Sequence, residues 1–114
     1  MLQGNSKEPW KRIKATDPAP IMFQVQFCDG RVVSYAYCDV REIRLRDAGY
    51  LQLCLLGMEK LYITLEGRNL TELADLLGTG QIKSVAELGP RTFERPESSP
   101  SIDRITVEEL TGPA

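Results

Sequence analysis

The chain has 114 residues, 42% of them hydrophobic, and a formal net charge of −2 at pH 7. This size suits one domain with one hydrophobic core, and the slightly acidic balance excludes a generally basic surface of the kind that attracts nucleic acid or anionic membranes. The sequence contains no histidine, which removes the commonest general base and the commonest metal ligand.

No apolar stretch reaches the roughly 18 residues of a membrane-spanning helix, and the N-terminus lacks the apolar core of a signal peptide. We therefore expect a cytoplasmic protein with no membrane contact. Cys28, Cys38 and Cys54 are odd in number and lack CxxC spacing, so they predict neither a zinc site nor a disulfide framework. We expect free thiols that are buried or half-buried.

Residues 1–20 have the mixed charged, Gly, Asn and Pro composition of a flexible N-terminal tail. Within it, Trp10 precedes a basic cluster at residues 11–14, and together they could bind phosphate by charge and a base by stacking. The interpretation that we favour is a solvated leader whose Trp10 packs on the domain. Nucleic-acid binding through this tail is therefore the alternative function.

The first predicted hairpin begins with the alternating residues Phe23, Val25 and Phe27. Asp29-Gly30 is the dipeptide most expected in a two-residue type I′ turn. Such a turn would place six residues on the core side of the hairpin: Phe23, Val25, Phe27, Val32, Ser34 and Ala36. The opposite face would then present Gln24, Gln26, Val33, Tyr35 and Tyr37.

That tyrosine-containing face is the candidate interface. Tyrosine rings supply contact area while their hydroxyl groups tolerate water, which favours protein interfaces. Coverage of the face by the chain's own helix or tail is the second interpretation, and the sequence leaves both open.

Three further strands are predicted between residues 40 and 66. Val40 to Arg46 forms the first, with Ile43 and Leu45 inward and a charged outer side that discourages edge pairing. Asp47-Ala48-Gly49 predicts a three-residue turn with glycine in the left-handed position. Two runs of alternating leucine and isoleucine follow, joined by a turn at residues 57–59, and they predict a hairpin with one apolar face.

A helix follows, because the period changes after Gly67 and one helical face then carries Leu70, Leu73, Ala74 and Leu77. We predict that Asn69 caps its N-terminus together with Glu72, and that Gly78 ends it in the left-handed conformation. So short a helix is not stable alone, so its leucine stripe must pack on the sheet.

The remaining chain has weaker signals. Residues 81–88 fit either one extra helical turn or a short strand, and residues 91–101 have the composition of a linker. Residues 102–110 are apolar enough to dock, either on their own domain or as a strand added to a neighbour's sheet. The predicted organisation is a flexible tail at 1–20, a single domain at 21–89, and a Pro/Ser linker with a docking segment at 90–114.

The order F-x-V-x-F-x-D-G, S-Y-A-Y, alternating leucines and then G-R-N-L with a leucine-rich helix resembles a group of small uncharacterised bacterial proteins. The resemblance covers about residues 22–88 and implies no activity. The predicted fold class is α+β: a mostly antiparallel, five-stranded curled sheet or half barrel, similar to pleckstrin-homology domains, with one C-terminal helix packed on it. Such a fold does not name a function.

The sequence predicts no catalytic, cofactor-binding or metal-binding residues and no small-molecule ligand. The candidate acid-base groups are Asp29, Asp39, Asp47 and Glu66, two of which are explained by turns, and no nucleotide-binding or nucleophile-elbow motif is present. The leading hypothesis is therefore a non-enzymatic protein-interaction or self-assembly module, whose partner is another protein or a second copy of the chain.

Overall fold

The computed structural model describes residues 8–90 and 98–110. In these ranges the chain forms eight strands, a short 3₁₀ turn at Tyr37–Asp39 and one α-helix, α1, at Thr71–Gly78. The strands are β1 Trp10–Arg12, β2 Met22–Gln26, β3 Val32–Ala36, β4 Val40–Asp47, β5 Tyr50–Leu56, β6 Lys60–Arg68, β7 Ile82–Ala86 and β8 Ser101–Leu110.

The strands form two four-stranded sheets, where the sequence predicted a single sheet of five strands. Sheet A has the order β1-β7-β2-β3, and sheet B has the order β4-β5-β6-β8. All pairings are antiparallel except that of β2 with β7. The predicted α+β class with mostly antiparallel strands and one helix is confirmed. The barrel-like closure is not, because both sheets of described residues end in open edges.

Sheet B contains the hairpin that the alternating leucines predicted. Leu56 pairs with Lys60 across residues 57–59, and the register continues to Tyr50 and Glu66. Of the six residues predicted on the apolar face, Leu61 is half-buried and the other five are buried: Leu51, Leu53, Leu55, Ile63 and Leu65. This hairpin is the centre of sheet B, flanked by β4 and β8.

The β2–β3 hairpin has a three-residue loop, and the predicted two-residue turn is wrong. The Phe27 N–H donates to the Arg31 carbonyl at 2.8 Å, and Gly30 has a left-handed φ of 100°. Phe23 therefore pairs with Tyr35, one residue away from the predicted register. A shift of one residue moves every side chain of a strand to the other face of its sheet, which changes the composition of the candidate interface.

The predicted turn between β4 and β5 is also wrong in detail. Asp47 pairs with Tyr50, so only two residues lie between them, and Gly49 is not among the glycines with positive φ. Glycine is required here for space: a Cβ on Gly49 would lie 2.7 Å from the carbonyl oxygen of Gly67. The two backbones are joined by a hydrogen bond from the Gly67 N–H to the Gly49 carbonyl at 3.0 Å.

α1 begins without the predicted capping box. Asn69 has left-handed backbone geometry, with a φ of 57°, and its side-chain amide donates to the carbonyl oxygens of Ser98 and Ser99. The residue before the helix is Leu70, which makes no side-chain capping hydrogen bond. Asn69 therefore ties the helix entrance to the C-terminal segment, and its pairing with Glu72 does not occur.

The left-handed residue that ends α1 lies two residues later than predicted. Gly78 is the last helical residue, and the left-handed residue is Gly80, with a φ of 70°. The Gly80 N–H donates to Leu77 O at 3.2 Å and the Gln81 N–H donates to Leu76 O at 2.9 Å. This pair of bonds is a Schellman motif, which satisfies the last carbonyl groups of the helix.

One hydrophobic core is shared by both sheets and the helix. Leu70, immediately before α1, and the helix residues Leu73, Leu76 and Leu77 are buried, whereas Ala74 of the predicted stripe is only half-buried. Sheet residues complete the core: Phe23, Val25, Leu51, Leu53, Leu55, Ile63, Leu65, Ile82, Val85, Ile102 and Ile105. Because apolar burial is the main stabilising term in folding, the two sheets depend on each other and on α1.

Both segments that flank the predicted domain contain strands. β1, inside the predicted tail, pairs with β7, and Trp10 packs against the core. β8 pairs along β6 of its own chain, from Arg68–Ser101 to Lys60–Leu110. Of the two docking modes left open for residues 102–110, the structure shows the one within the chain. None of the described helices is long and apolar enough to cross a membrane.

Candidate interaction site

The five predicted interface residues do not share one face. In the observed register Gln24 pairs with Ser34 and Gln26 pairs with Val32, so the two glutamines lie on the outer face of sheet A. Val33, Tyr35 and Tyr37 lie on the other face, where Phe23 is buried in the core.

The two tyrosines pack against their own chain. The ring of Phe23 lies 6.0 Å from that of Tyr35 and 5.0 Å from that of Tyr37, centroid to centroid. The Tyr37 hydroxyl donates to the carbonyl of Ile82 at 2.7 Å and accepts the Ile82 N–H at 3.0 Å. Burial raises the pKa of both tyrosines above its ordinary value. Tyr37 is therefore a structural link between the end of β3 and the start of β7.

Replacing Tyr37 with phenylalanine should lower the free energy of unfolding by about 1–3 kcal/mol, because both main-chain groups of the buried Ile82 lose their partner. The measurement is urea unfolding followed by circular dichroism. Tyr35→Phe is the matched control: its ring also contacts Phe23, and we expect a change within about 0.5 kcal/mol. Equal losses in the two variants would contradict the role given to the Tyr37 hydroxyl.

Three residues of β3 point their main-chain polar groups away from β2. In an antiparallel pair, residues that exchange N–H···O bonds alternate with residues that do not. The bonds from Phe27 N–H to Arg31 O and from Tyr37 N–H to Ile21 O mark the two ends of this pattern. The main chain at residues 31, 33, 35 and 37 therefore bonds to β2. The N–H and C=O groups of Val32, Ser34 and Ala36 face the open edge of the sheet.

The β3 edge differs from the other sheet edges formed by described residues, because it carries no charged side chain. β3 reads VVSYA. β1 carries Lys11 and Arg12, and the other two edge strands carry charges along their length: β4 reads VREIRLRD, and β8 reads SIDRITVEEL. Charged side chains on an edge strand discourage pairing with another sheet. The β3 edge lacks this protection.

Two apolar side chains lie on the outer face beside the β3 edge. Val32 is 54% exposed and Met22 is 46% exposed. Met22 and Val32 lie at opposite ends of the β2–β3 ladder, where Met22 pairs with Ala36. We call the edge of β3 together with Met22 the β3 surface. The sequence could have identified it if Cys28-Asp29-Gly30 had been taken as a three-residue loop ending in a left-handed glycine.

The edge of sheet B at β8 is partly covered by the chain itself. The Leu88 N–H donates to Ile102 O at 2.8 Å. One carboxylate oxygen of Glu87 accepts the Ile105 N–H, and the other accepts the Cys28 N–H, both at 3.0 Å. Glu87 thus joins the β2–β3 loop of sheet A to sheet B, and two of the main-chain groups on the edge of β8 are already bonded.

The cysteines and candidate carboxylates have local roles. Cys28 and Cys38 are exposed, contrary to the prediction, and Cys54 is half-buried. A hydrogen bond to Glu87 raises the pKa of the Cys28 thiol, which disfavours a reactive thiolate. Hydrogen bonds from Arg31 lower the pKa of Asp29.

The other three predicted carboxylates lie in different parts of the fold. Asp47 accepts the Gly49 N–H at 2.8 Å, Asp39 ends the 3₁₀ turn, and Glu66 lies in β6. These carboxylates therefore occur in separate elements. Within residues 8–90 and 98–110, no group of three or more Cys, Asp or Glu side chains is placed to hold a metal ion.

Trp10 and the basic segment that follows it contact other parts of the chain. The Trp10 ring is half-buried against the core, and the Arg12 guanidinium donates to the Gln81 side chain at 3.0 Å. A stacking platform for bases needs an exposed aromatic face. The position of Trp10 therefore gives no support to nucleic-acid binding through this segment.

A groove of about 450 Å³ lies between the segment before β2, the start of β4 and the end of α1. Its lining includes two hydroxyl groups, those of Tyr37 and Thr79. Both are already donors within the chain, Tyr37 to Ile82 O and Thr79 to Asp75 O. The lining also includes the charged side chains of Arg41 and Glu42, and the Glu42 carboxylate already forms an ion pair with Arg44 at 2.9 Å. Because three of these four polar side chains are bonded within the chain, the groove offers few groups to orient a small ligand.

Comparisons with models of known protein families, with curated proteins and with solved structures gave no significant match to this chain.

Proposed function

We propose that this protein is a non-enzymatic interaction module that associates with itself through the β3 surface. The observation that carries the proposal is the β3 edge, where the main chain of Val32, Ser34 and Ala36 faces outward and no charged side chain interrupts the strand. Open strands of this kind bind a further strand by main-chain hydrogen bonds. Asp29 and Asp47 accept hydrogen bonds within their own turns, and Glu87 joins the two sheets.

Light scattering of the full chain over a range of concentrations tests the proposal. We expect the weight-average mass to rise with concentration from the monomer value of 12.8 kDa towards twice that value. A mass that stays at the monomer value at every concentration would contradict self-association.

A pair of lysine substitutions tests whether the β3 surface is responsible. Val32→Lys places a charge on the edge strand and should shift the equilibrium towards the monomer. Leu56→Lys is the matched control: Leu56 is 48% exposed and Val32 is 54% exposed, but Leu56 lies at the end of β5 in the other sheet. Equal loss of association in both variants would point to a surface other than β3.

A further inference from the structure

We infer that the partner of β3 is the same strand of a second copy, paired antiparallel about a two-fold axis at Ser34, so that the two A sheets become one continuous sheet. This inference rests on the proposed self-association and specifies its geometry. Two-fold dimers are the commonest closed assemblies, and their interface uses the same surface patch on both copies. β3 lies at the end of sheet A, so its addition to another β3 would leave both sheets otherwise unchanged.

The hydrogen-bonding pattern selects the register. The outward main-chain groups belong to Val32, Ser34 and Ala36, in alternation with the residues bonded to β2. A two-fold axis at Ser34 pairs Ser34 with Ser34 of the second copy, and Val32 with Ala36 of the second copy. This register uses all three outward residues of both copies. An axis one residue earlier or later, at Val33 or Tyr35, would leave one of the three without a pair.

Side chains on the outer face are compatible with this register. The existing pair Met22–Ala36 would be extended by Val32 of the second copy. Val32 is 54% exposed in the single chain, so the pairing would cover apolar surface at both ends of the joint. In the middle row, Ser34 of each copy would lie beside the other, each flanked by its own Gln24.

The inner face is compatible as well. The existing pair Phe23–Tyr35 would be extended by Val33 of the second copy, and Val33 in turn pairs with Val25. Every new neighbour is therefore apolar or aromatic. The nearest charged side chain is Arg31, just outside β3, and its guanidinium already forms an ion pair with Asp29 at 2.9 Å. The pairing consequently brings no like charges together within the strand, which would oppose it.

Proline at position 34 tests the hydrogen-bonding pattern. Ser34→Pro removes an outward N–H and no bond to β2, because residue 34 alternates with the bonded residues. We expect the dimer dissociation constant to rise at least about tenfold. Ser34→Ala keeps the N–H and should associate as the unmodified chain does. An association that Ser34→Pro leaves unchanged would overturn the inference.

Disulfide cross-linking tests the register even if the Ser34→Pro variant does not fold. In a chain carrying Cys28→Ser and Cys38→Ser, Ser34→Cys should form a covalent dimer under mild oxidation, because residues paired in this way lie about 5.5 Å apart between Cα atoms. Met58→Cys, at the exposed tip of the β5–β6 hairpin, is the control and should stay monomeric. Cross-linking equal to this control would overturn the inference.

Different results would contradict the proposed function and the β3 pairing. A chain that is monomeric in light scattering at every concentration would overturn both the proposed function and the inference. A dimer that Val32→Lys weakens, but that Ser34→Pro does not weaken and Ser34→Cys does not cross-link, would leave self-association through the β3 surface standing. That result would overturn only the antiparallel pairing at Ser34.

Discussion

Replacing Gly67 with alanine should lower the free energy of unfolding by about 3 kcal/mol. Gly67 lies in β6 where the register with β8 shifts, opposite Ile102. A Cβ at this position would overlap the carbonyl oxygen of Ser101 and lie 2.9 Å from its carbonyl carbon. These are backbone atoms of a buried residue, since Ser101 has no exposed surface, so relief requires β8 to move.

The consequence of the Gly67 substitution would extend beyond one contact. The Gly67 N–H also donates to the Gly49 carbonyl, so a displaced β6 would disturb both of its neighbours in sheet B. Chemical denaturation with urea measures the loss, and a smaller slope with urea would report a less compact native state.

Gly78→Ala is the matched control for Gly67→Ala. Gly78 is the last residue of α1, it does not have a positive φ, and the nearest atom to an added Cβ is the side chain of Ile43 at 4.0 Å. Alanine is favoured over glycine in a helix by roughly 0.5–1 kcal/mol, so we expect a small gain in stability. Two equal losses would show that the crowding at Gly67 is not the cause.

The sequence predicts the β5–β6 hairpin of sheet B well, for a physical reason. In β5 and β6 the apolar residues alternate along both strands, and only one register buries both sets. Leu53 and Ile63 therefore pair as expected and are buried together. The existence of α1 follows equally from the spacing of Leu70, Leu73 and Leu77, all of which are buried.

The β2–β3 hairpin shows how the length assigned to one loop changes a predicted site. Asp29-Gly30 fits a two-residue turn and also the end of a three-residue loop, and the two differ by one residue in register. The three-residue loop moves Tyr35 and Tyr37 to the core side and brings Val32 outward. The candidate interface predicted from the sequence was therefore assembled from residues of two different faces.

Long-range pairing is the second limit on prediction from this sequence. β1 pairs with β7 and β8 pairs with β6, and no local signal in residues 10–12 or 101–110 names these partners. The sequence likewise did not predict which side chains join distant segments. Asn69 is predicted to cap α1, but its side-chain amide donates to Ser98 and Ser99. Glu87 lies in a stretch that fits either a helical turn or a short strand, and in the structure it links the two sheets.

Replacing Leu73 with alanine should lower the free energy of unfolding by about 2–5 kcal/mol, because the substitution leaves a cavity where the helix meets both sheets. Leu73 has no exposed surface, and α1 contacts β4 of sheet B as well as β7 of sheet A. Loss of this side chain therefore weakens the joint between the sheets as well as the helix. Asp75→Ala, on the exposed side of the same helix, should change stability by less than about 0.5 kcal/mol. If the two variants lose the same stability in urea unfolding, α1 does not hold the sheets together through its leucine face.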